Sequence, residues 1–193
     1  MEPSKIDRRI KYAKKLLTDA LVSLLQHQHI SSVSVKELCE LADINRSTFY
    51  THYRDPSDLL SQIEAQVYEN VKRHIEMQEY KQGSLPVSQQ MLTSVLEYIR
   101  DNMELFKALL SENCDFTFQK DIIELAQIIS SKHDMGIDTK TMEYLRAFGI
   151  AGCTSLLQKW LKDGAIESPE HISGLALGFL QNGAVMFMGN HES

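Results

Sequence analysis

At 193 residues, with 43% hydrophobic and 24% charged residues and a net charge of −6, the composition is that of a globular chain of one or two domains, and it excludes a disordered or collagen-like one. No run approaches the roughly 18 consecutive apolar residues of a membrane span; the nearest, GLALGFLQNGAVMFMG, is interrupted by Gln181 and Asn182. Cys39, Cys114 and Cys153 are odd in number, far apart and each set in an apolar pattern, which argues for buried thiols in a reducing cytoplasm over a disulfide frame or zinc site.

The charge is unevenly spread. Residues 1–60 hold nine Lys/Arg against eight Asp/Glu, and residues 61–193 hold eleven against eighteen. Lys5, Arg8, Arg9, Lys11, Lys14 and Lys15 crowd the first fifteen residues against Glu2 and Asp7 alone. Screening confines charge effects to about 10 Å, so an acidic body with a basic edge can still meet phosphate locally. The opening MEPSKIDRRIKYAKK is basic and then amphipathic, without the apolar stretch of a secretory leader. A cytoplasmic location is expected.

In chain order the pattern predicts helices almost throughout, hence an all-α fold. Ile10, Ala13, Leu17, Leu21 and Leu24 recur along one face of a helix from about Asp7 to His27. Ser34, with Glu37 three residues on, opens a short helix as a capping box, and Leu38, Cys39 and Ala42 form its inner face. Asp43-Ile44 makes a tight turn, and Asn45 caps a second short helix that runs through Tyr53 and turns Phe49 and Tyr53 inward. Asp55-Pro56 starts a long helix reaching about Tyr80, which Gly83-Ser84-Leu85-Pro86 breaks. Further helices are predicted at 86–100, 103–111, 116–133, 139–162 and 169–188, punctuated by Asp101-Asn102, by Gly136 with cap Asp138, and by Gly164 with cap Ser168 and Pro169.

Chemistry concentrates in VSVKELCELADINRSTFYTHYRDPSDLL, residues 33–60. Two short helices separated by a turn of about three residues make a helix-turn-helix. The second presents Asn45, Arg46, Ser47, Thr48, Tyr50, Thr51 and His52 outward: donors, acceptors and an aromatic ring, with no acid. A helix face of that kind suits the DNA major groove, and the N–H groups at the two helix starts suit phosphate.

In this segment the chain resembles the TetR family of transcription regulators. The family pattern has a Thr/Ser-capped helix, an Ala-Gly-Val-Ser-like turn, a helix ending in Tyr-x-His-Phe and a Lys-Glu-x-Leu start. This chain carries Ser34, Ala42-Asp43-Ile44-Asn45, Tyr50-Thr51-His52-Tyr53 and Asp55-Pro56-Ser57-Asp58-Leu59-Leu60. The resemblance implies that Ser34, Lys36, Tyr50 and His52 touch the DNA backbone, and that Arg46, Ser47 and Thr48 face base edges. Asp43 stands where the family turn has glycine, His29 where its first helix ends in glycine, and Pro56 where relatives carry a phosphate-contacting lysine. Asp tolerates left-handed geometry, so the turn is expected to survive, whereas Pro56 is expected to leave one phosphate without its lysine.

The C-terminal half resembles one subgroup of the family in Phe106-Lys107-Ala108-Leu109-Leu110-Ser111-Glu112-Asn113 and in Leu156-Leu157-Gln158-Lys159-Trp160-Leu161. Met77, Met91, Tyr98, Met103, Phe106, Phe118 and Tyr144 are candidates to line a pocket for a small apolar effector, with ordinary bundle core as the alternative. Gly149, Trp160, Gly174, Gly178 and Leu180 are candidates for the homodimer interface, since small residues allow close helix approach and the resemblance implies a four-helix bundle built from the last two helices. His27-Gln28-His29 diverge on a helix end and lack an adjacent acid or thiol. Cys114, His133 and Asp134 lack the context of a thiol hydrolase. No metal, cofactor or enzymatic activity is therefore expected.

The expected organisation is a DNA-binding domain at 1–60 and a ligand-binding and dimerisation domain at 61–193. A homodimer would bind a near-palindromic operator on double-stranded DNA and act as a repressor released by its effector. The alternatives are control by a protein coregulator, action as an activator, and, least favoured, a helical enzyme or metal-binding protein.

Overall fold

The computed structural model describes residues 5–82, 89–114 and 138–185. Among these the chain forms eight α-helices and one 3-10 turn, and no strand: α1 Lys5–Leu25, the 3-10 turn Ile30–Ser32, α2 Val35–Ala42, α3 Arg46–His52, α4 Pro56–Gln82, α5 Gln89–Asp101, α6 Met103–Leu109, α7 Thr139–Lys162 and α8 Pro169–Val185. The all-α expectation holds. The predicted helix at 116–133, the break at residues 83–86 and the last turn of the 169–188 helix lie outside the described residues. No described helix is long and apolar enough to cross a membrane.

The chain divides into two compact units. One comprises Met1–Val67 and Lys107–Phe118, the other Tyr68–Phe106 and Gln119–Ser193. In the first, α1 buries Ala13, Leu17, Ala20, Leu21 and Leu25. That stripe is the predicted one rotated slightly, for Ile10 and Leu24 are only half-buried. Helix α2 packs on α1 and α3 on α2, and the unit also buries Leu38, Cys39 and Ala42 of α2, Phe49 of α3, Tyr53, and Leu59, Leu60, Ile63 and Val67 of α4.

Helix α1 stops at Leu25, two residues before the predicted end. His29 then caps the 3-10 turn, its Nδ1 accepting from Ser31 N at 3.2 Å. Residues from much later in the chain secure this junction. Asn113 Nδ2 donates to Leu25 O at 2.9 Å, and Asn113 O accepts from Ile30 N at 2.9 Å. Beside it Leu109, Leu110 and Cys114 are buried, with Cys114 Sγ donating to Ala108 O at 3.2 Å.

The second unit packs α5 against α8 and α8 against α7. Ser173 on α8 is fully buried and donates its hydroxyl to Glu170 O at 2.9 Å. Its single proton is thus committed, so Thr93 Oγ1 of α5 is the donor in the 2.8 Å bond between the two hydroxyls. The α7–α8 turn closes through left-handed Gly164 (φ 90°) and Ala165 (φ 52°). Gly164 N donates to Leu161 O and Ala165 N to Trp160 O, which satisfies carbonyls left over at the helix end. Trp160 is 2% exposed, and its indole N–H donates to Glu167 O at 3.0 Å.

Candidate nucleic-acid interface

Capping builds the site. Ser34 Oγ accepts from Glu37 N at 3.2 Å, the predicted half of a capping box. Glu37 does not close the box: its carboxylate accepts from Gln28 Nε2 at 3.0 Å, tying α2 to the chain before the 3-10 turn. At the far end of α2, Asp43 is left-handed (φ 52°, ψ 44°). Its N–H donates to Glu40 O and that of Ile44 to Cys39 O, a Schellman ending with aspartate in the glycine position. The turn therefore survives without glycine.

Asn45 caps α3, its Oδ1 accepting from Ser47 N at 2.9 Å. The caps thus occupy two of the N–H groups expected to face phosphate, those of Glu37 and Ser47. Asp55 Oδ1 accepts from Asp58 N at 2.8 Å at the start of α4. Asp58 in turn accepts from Arg54 N at 2.8 Å, with Arg54 Nε 3.5 Å away. The backbone bond from Arg54, helped by the Gln62 amide and the guanidinium, holds the Asp58 carboxyl below the usual range.

Helix α3 is oriented by its aromatic residues. Phe49 is fully buried and Tyr53 nearly so, their ring centroids 5.5 Å apart. Lys14 Nζ lies 5.8 Å from the Tyr53 ring centre, a cation–π approach that pins α1 to the end of α3. Burial pushes the Tyr53 phenol up, with the Asp58 charge adding to it. Burial likewise raises the Cys39 thiol, against the opposing pull of Arg46; it is a core group.

With Phe49 and Tyr53 inward, Ser34, Lys36, Asn45, Arg46, Ser47, Tyr50 and Thr51 are exposed, and Thr48 and His52 half-buried. Lys36 faces Glu40 across 3.9 Å with both side chains solvated, a pairing worth at most about 1 kcal/mol that a phosphate could displace. Tyr50 stacks edge-on to Phe49 at 5.5 Å, which steadies an otherwise exposed ring.

The other candidate residues fare differently. Tyr98 and Phe106 meet edge to face at 5.7 Å, Met91 is buried and Met103 half-buried. Tyr98 is already engaged, its hydroxyl accepting from Asn70 Nδ2 at 3.0 Å and its ring stacked on His74 at 5.2 Å. His74 Nδ1 and Ser94 Oγ share a 3.1 Å bond. Tyr144 is 69% exposed. The side chains of Met77 and Phe118 lie outside the described residues.

Of the interface candidates, Trp160 is buried within its own chain, its indole N–H donating into the α7–α8 turn. Gly149 faces Leu180 of the same chain and Gly174 faces Gln89, while a side chain at Gly178 would meet nothing within 4 Å. Sequence reasoning misses Phe148 and Phe179, 80% and 78% exposed. Their aromatic type at spacings that miss the buried face is the available signal.

Residues 87–182 match a TetR family model described as "Transcriptional regulator C-terminal region". A curated relative, the HTH-type transcriptional regulator AcrR of Shigella flexneri, is 26% identical over 127 residues, 64% of this chain, and the match spans only 59% of that protein's length. Among solved structures, a TetR transcriptional regulator from Streptococcus agalactiae superposes with a TM-score of 0.61 at 23% identity, covering 90% of this chain and 96% of that one. The dihydroxyacetone kinase operon activator DhaS gives 0.58 at 18%, covering 91% and 97%; these two likenesses establish the fold. An all-α chain with a helix-turn-helix ahead of such a C-terminal region has the architecture of this class of regulators. It belongs to the TetR family.

Proposed function

We propose that the chain is a homodimeric, sequence-specific DNA-binding regulator that represses from a near-palindromic operator and is released by a small apolar effector, with DNA binding assigned to residues 1–60 and effector binding and dimerisation to 61–193. The observation that carries DNA binding is the exposed, acid-free edge of α3. Arg46, Ser47, Tyr50 and Thr51 project from a helix whose other side is locked into the core by Phe49. Arg46 suits guanine, Lys36 and Ser34 suit the backbone, and the basic start of α1 adds phosphate attraction.

Dimerisation is supported by Tyr144 and Phe148, four residues apart on α7, and by Leu175 and Phe179, four apart on α8, all exposed in the single chain. Apolar stripes of this kind mark interaction surfaces, and a two-fold pairing would set the spacing of two α3 helices. For release, the effector must bind the two conformations with different affinity. Met91, Met103 and Phe106 offer it apolar contacts.

The test is a fluorescence titration of the protein against a duplex selected from a random pool, repeated across salt. If several phosphates are neutralised per dimer, affinity falls by orders of magnitude between about 50 and 200 mM salt. A flat response, or no selected duplex, would defeat the proposal.

A further inference from the structure

Two hydrogen bonds on the exposed edge of α3 bear on which base it can distinguish. Asn45 Oδ1 accepts from Ser47 N at 2.9 Å and is 2.9 Å from Ser47 Oγ. A backbone N–H can only donate, so the atom it meets is the amide oxygen and the orientation of the amide follows. An amide oxygen can only accept, so the Ser47 hydroxyl gives it its one proton. Both side chains are exposed, and their outward chemistry is thereby polarised. Asn45 offers the N–H groups of its amide, and Ser47 offers lone pairs without a proton. Thr51, one turn on, is committed in the same sense, its hydroxyl donating to Ser47 O at 2.9 Å.

Asparagine ordinarily reads adenine alone, its oxygen accepting from N6 while its nitrogen donates to N7. Here the oxygen already has two donors, and Ser47 Oγ stands beside it as the remaining acceptor. In the major groove adenine is the one base presenting an acceptor and an amino donor together. Guanine presents two acceptors, cytosine a donor, and thymine an acceptor and a methyl group. We infer that Asn45 and Ser47 form a composite reader of adenine, Asn45 Nδ2 donating to N7 and Ser47 Oγ accepting from N6, next to the base taken by Arg46. This rests on the proposed entry of α3 into the major groove.

The experiment is selection of bound duplexes from a random pool by the full chain, its Asn45→Asp variant and its Ser47→Ala variant, with helicity and melting temperature checked for each. Aspartate caps helices as well as asparagine does, so Asn45→Asp keeps the bonds from Ser47 while turning the outward donor into an acceptor. The parent should enrich a fixed adenine in each half-site. Asn45→Asp should move that position to cytosine, whose N4 amino group serves two acceptors. Ser47→Ala should cut the preference for adenine over guanine on the order of tenfold. A parent motif without a fixed adenine, or Asn45→Asp returning the parent motif, overturns the composite reader while leaving DNA binding standing. A parent that enriches no duplex overturns the DNA-binding proposal itself, and the reader with it.

Discussion

Gly149 on α7 lies against Leu180 on α8 so closely that a β-carbon built at 149 would stand 2.6 Å from Leu180 Cδ2. No methyl group fits at that distance, so either the leucine turns away or the helices part. Leu180 is half exposed and the atom is the far end of its side chain. The glycine is therefore held in place by one side chain rather than by backbone.

That geometry sets up a double-mutant cycle. Gly149→Ala gains about 1 kcal/mol of helix propensity but must displace Leu180, and the two effects should nearly cancel. In a Leu180→Ala background the displacement disappears, and the same substitution should stabilise by roughly 0.5–1 kcal/mol. Urea unfolding of the four proteins measures the coupling; additive changes would show that the contact carries no energy.

Among the described residues, two that are not glycine occupy left-handed backbone, Asp43 and Ala165, both at φ 52°. Alanine has no side-chain group to offset the steric cost, whereas aspartate can bond locally. Ala165→Gly should therefore raise stability by roughly 0.5–1 kcal/mol, and Asp43→Gly by less. Thermal unfolding ranks them, and the reverse order would count against the steric account.

On the DNA side, Arg46→Ala should cost about 1–3 kcal/mol per half-site and relax preference at one base position, because a guanidinium pairs bidentately with guanine. His52→Ala should weaken all sequences alike, as a backbone contact does. Binding arrays with single-base operator variants separate the two. An unchanged base profile for Arg46→Ala would remove it from direct readout.

Phe148→Glu places a charge in the exposed aromatic stripe of α7 without touching the buried core or the exposed edge of α3. A dimeric parent should then sediment as a monomer, and operator affinity should fall although α3 is unchanged. A monomeric parent at micromolar concentration would sink the palindromic operator along with the dimer.

Among the described residues, two carboxylates are held below their ordinary range and contribute to the acid limb of stability. Asp58 is lowered chiefly by the Arg54 N–H, and Glu170 chiefly by its own N–H and by Ser168. A carboxylate whose folded pKa is depressed binds fewer protons folded than unfolded. Its stabilisation is thus complete above the unfolded carboxylate range and lost as pH falls through the folded value. Asp58→Asn should lower stability at neutral pH and flatten the loss on acidification. A parallel acid limb in the variant would show that Asp58 contributes no linkage.

Local chemistry is legible in the sequence. Ser34, Asn45, Asp55, Asp138 and Ser168 all cap the helices their spacing predicts, because a cap is decided within four residues. The inward pair Phe49 and Tyr53 and the left-handed Asp43 belong to the same class. Where a second partner competes, neighbour spacing misleads: Glu37 sits correctly for a capping box, yet Gln28 takes its carboxylate.

The sequence by itself determined the helix-turn-helix, the polar edge it exposes and the all-α class, since periodicity and caps act over one or two turns. Tertiary structure alone decided that Asn113 secures the end of α1 from 88 residues away and that Trp160 is core. It likewise turned Gly149 toward its own chain and left Phe148 and Phe179 outside. Each of these depends on which helix arrives at a given face, and a glycine or an aromatic residue at helical spacing fits a neighbour in its own chain as well as one in another. Only the packed bundle breaks that tie, by occupying one face and leaving the other bare.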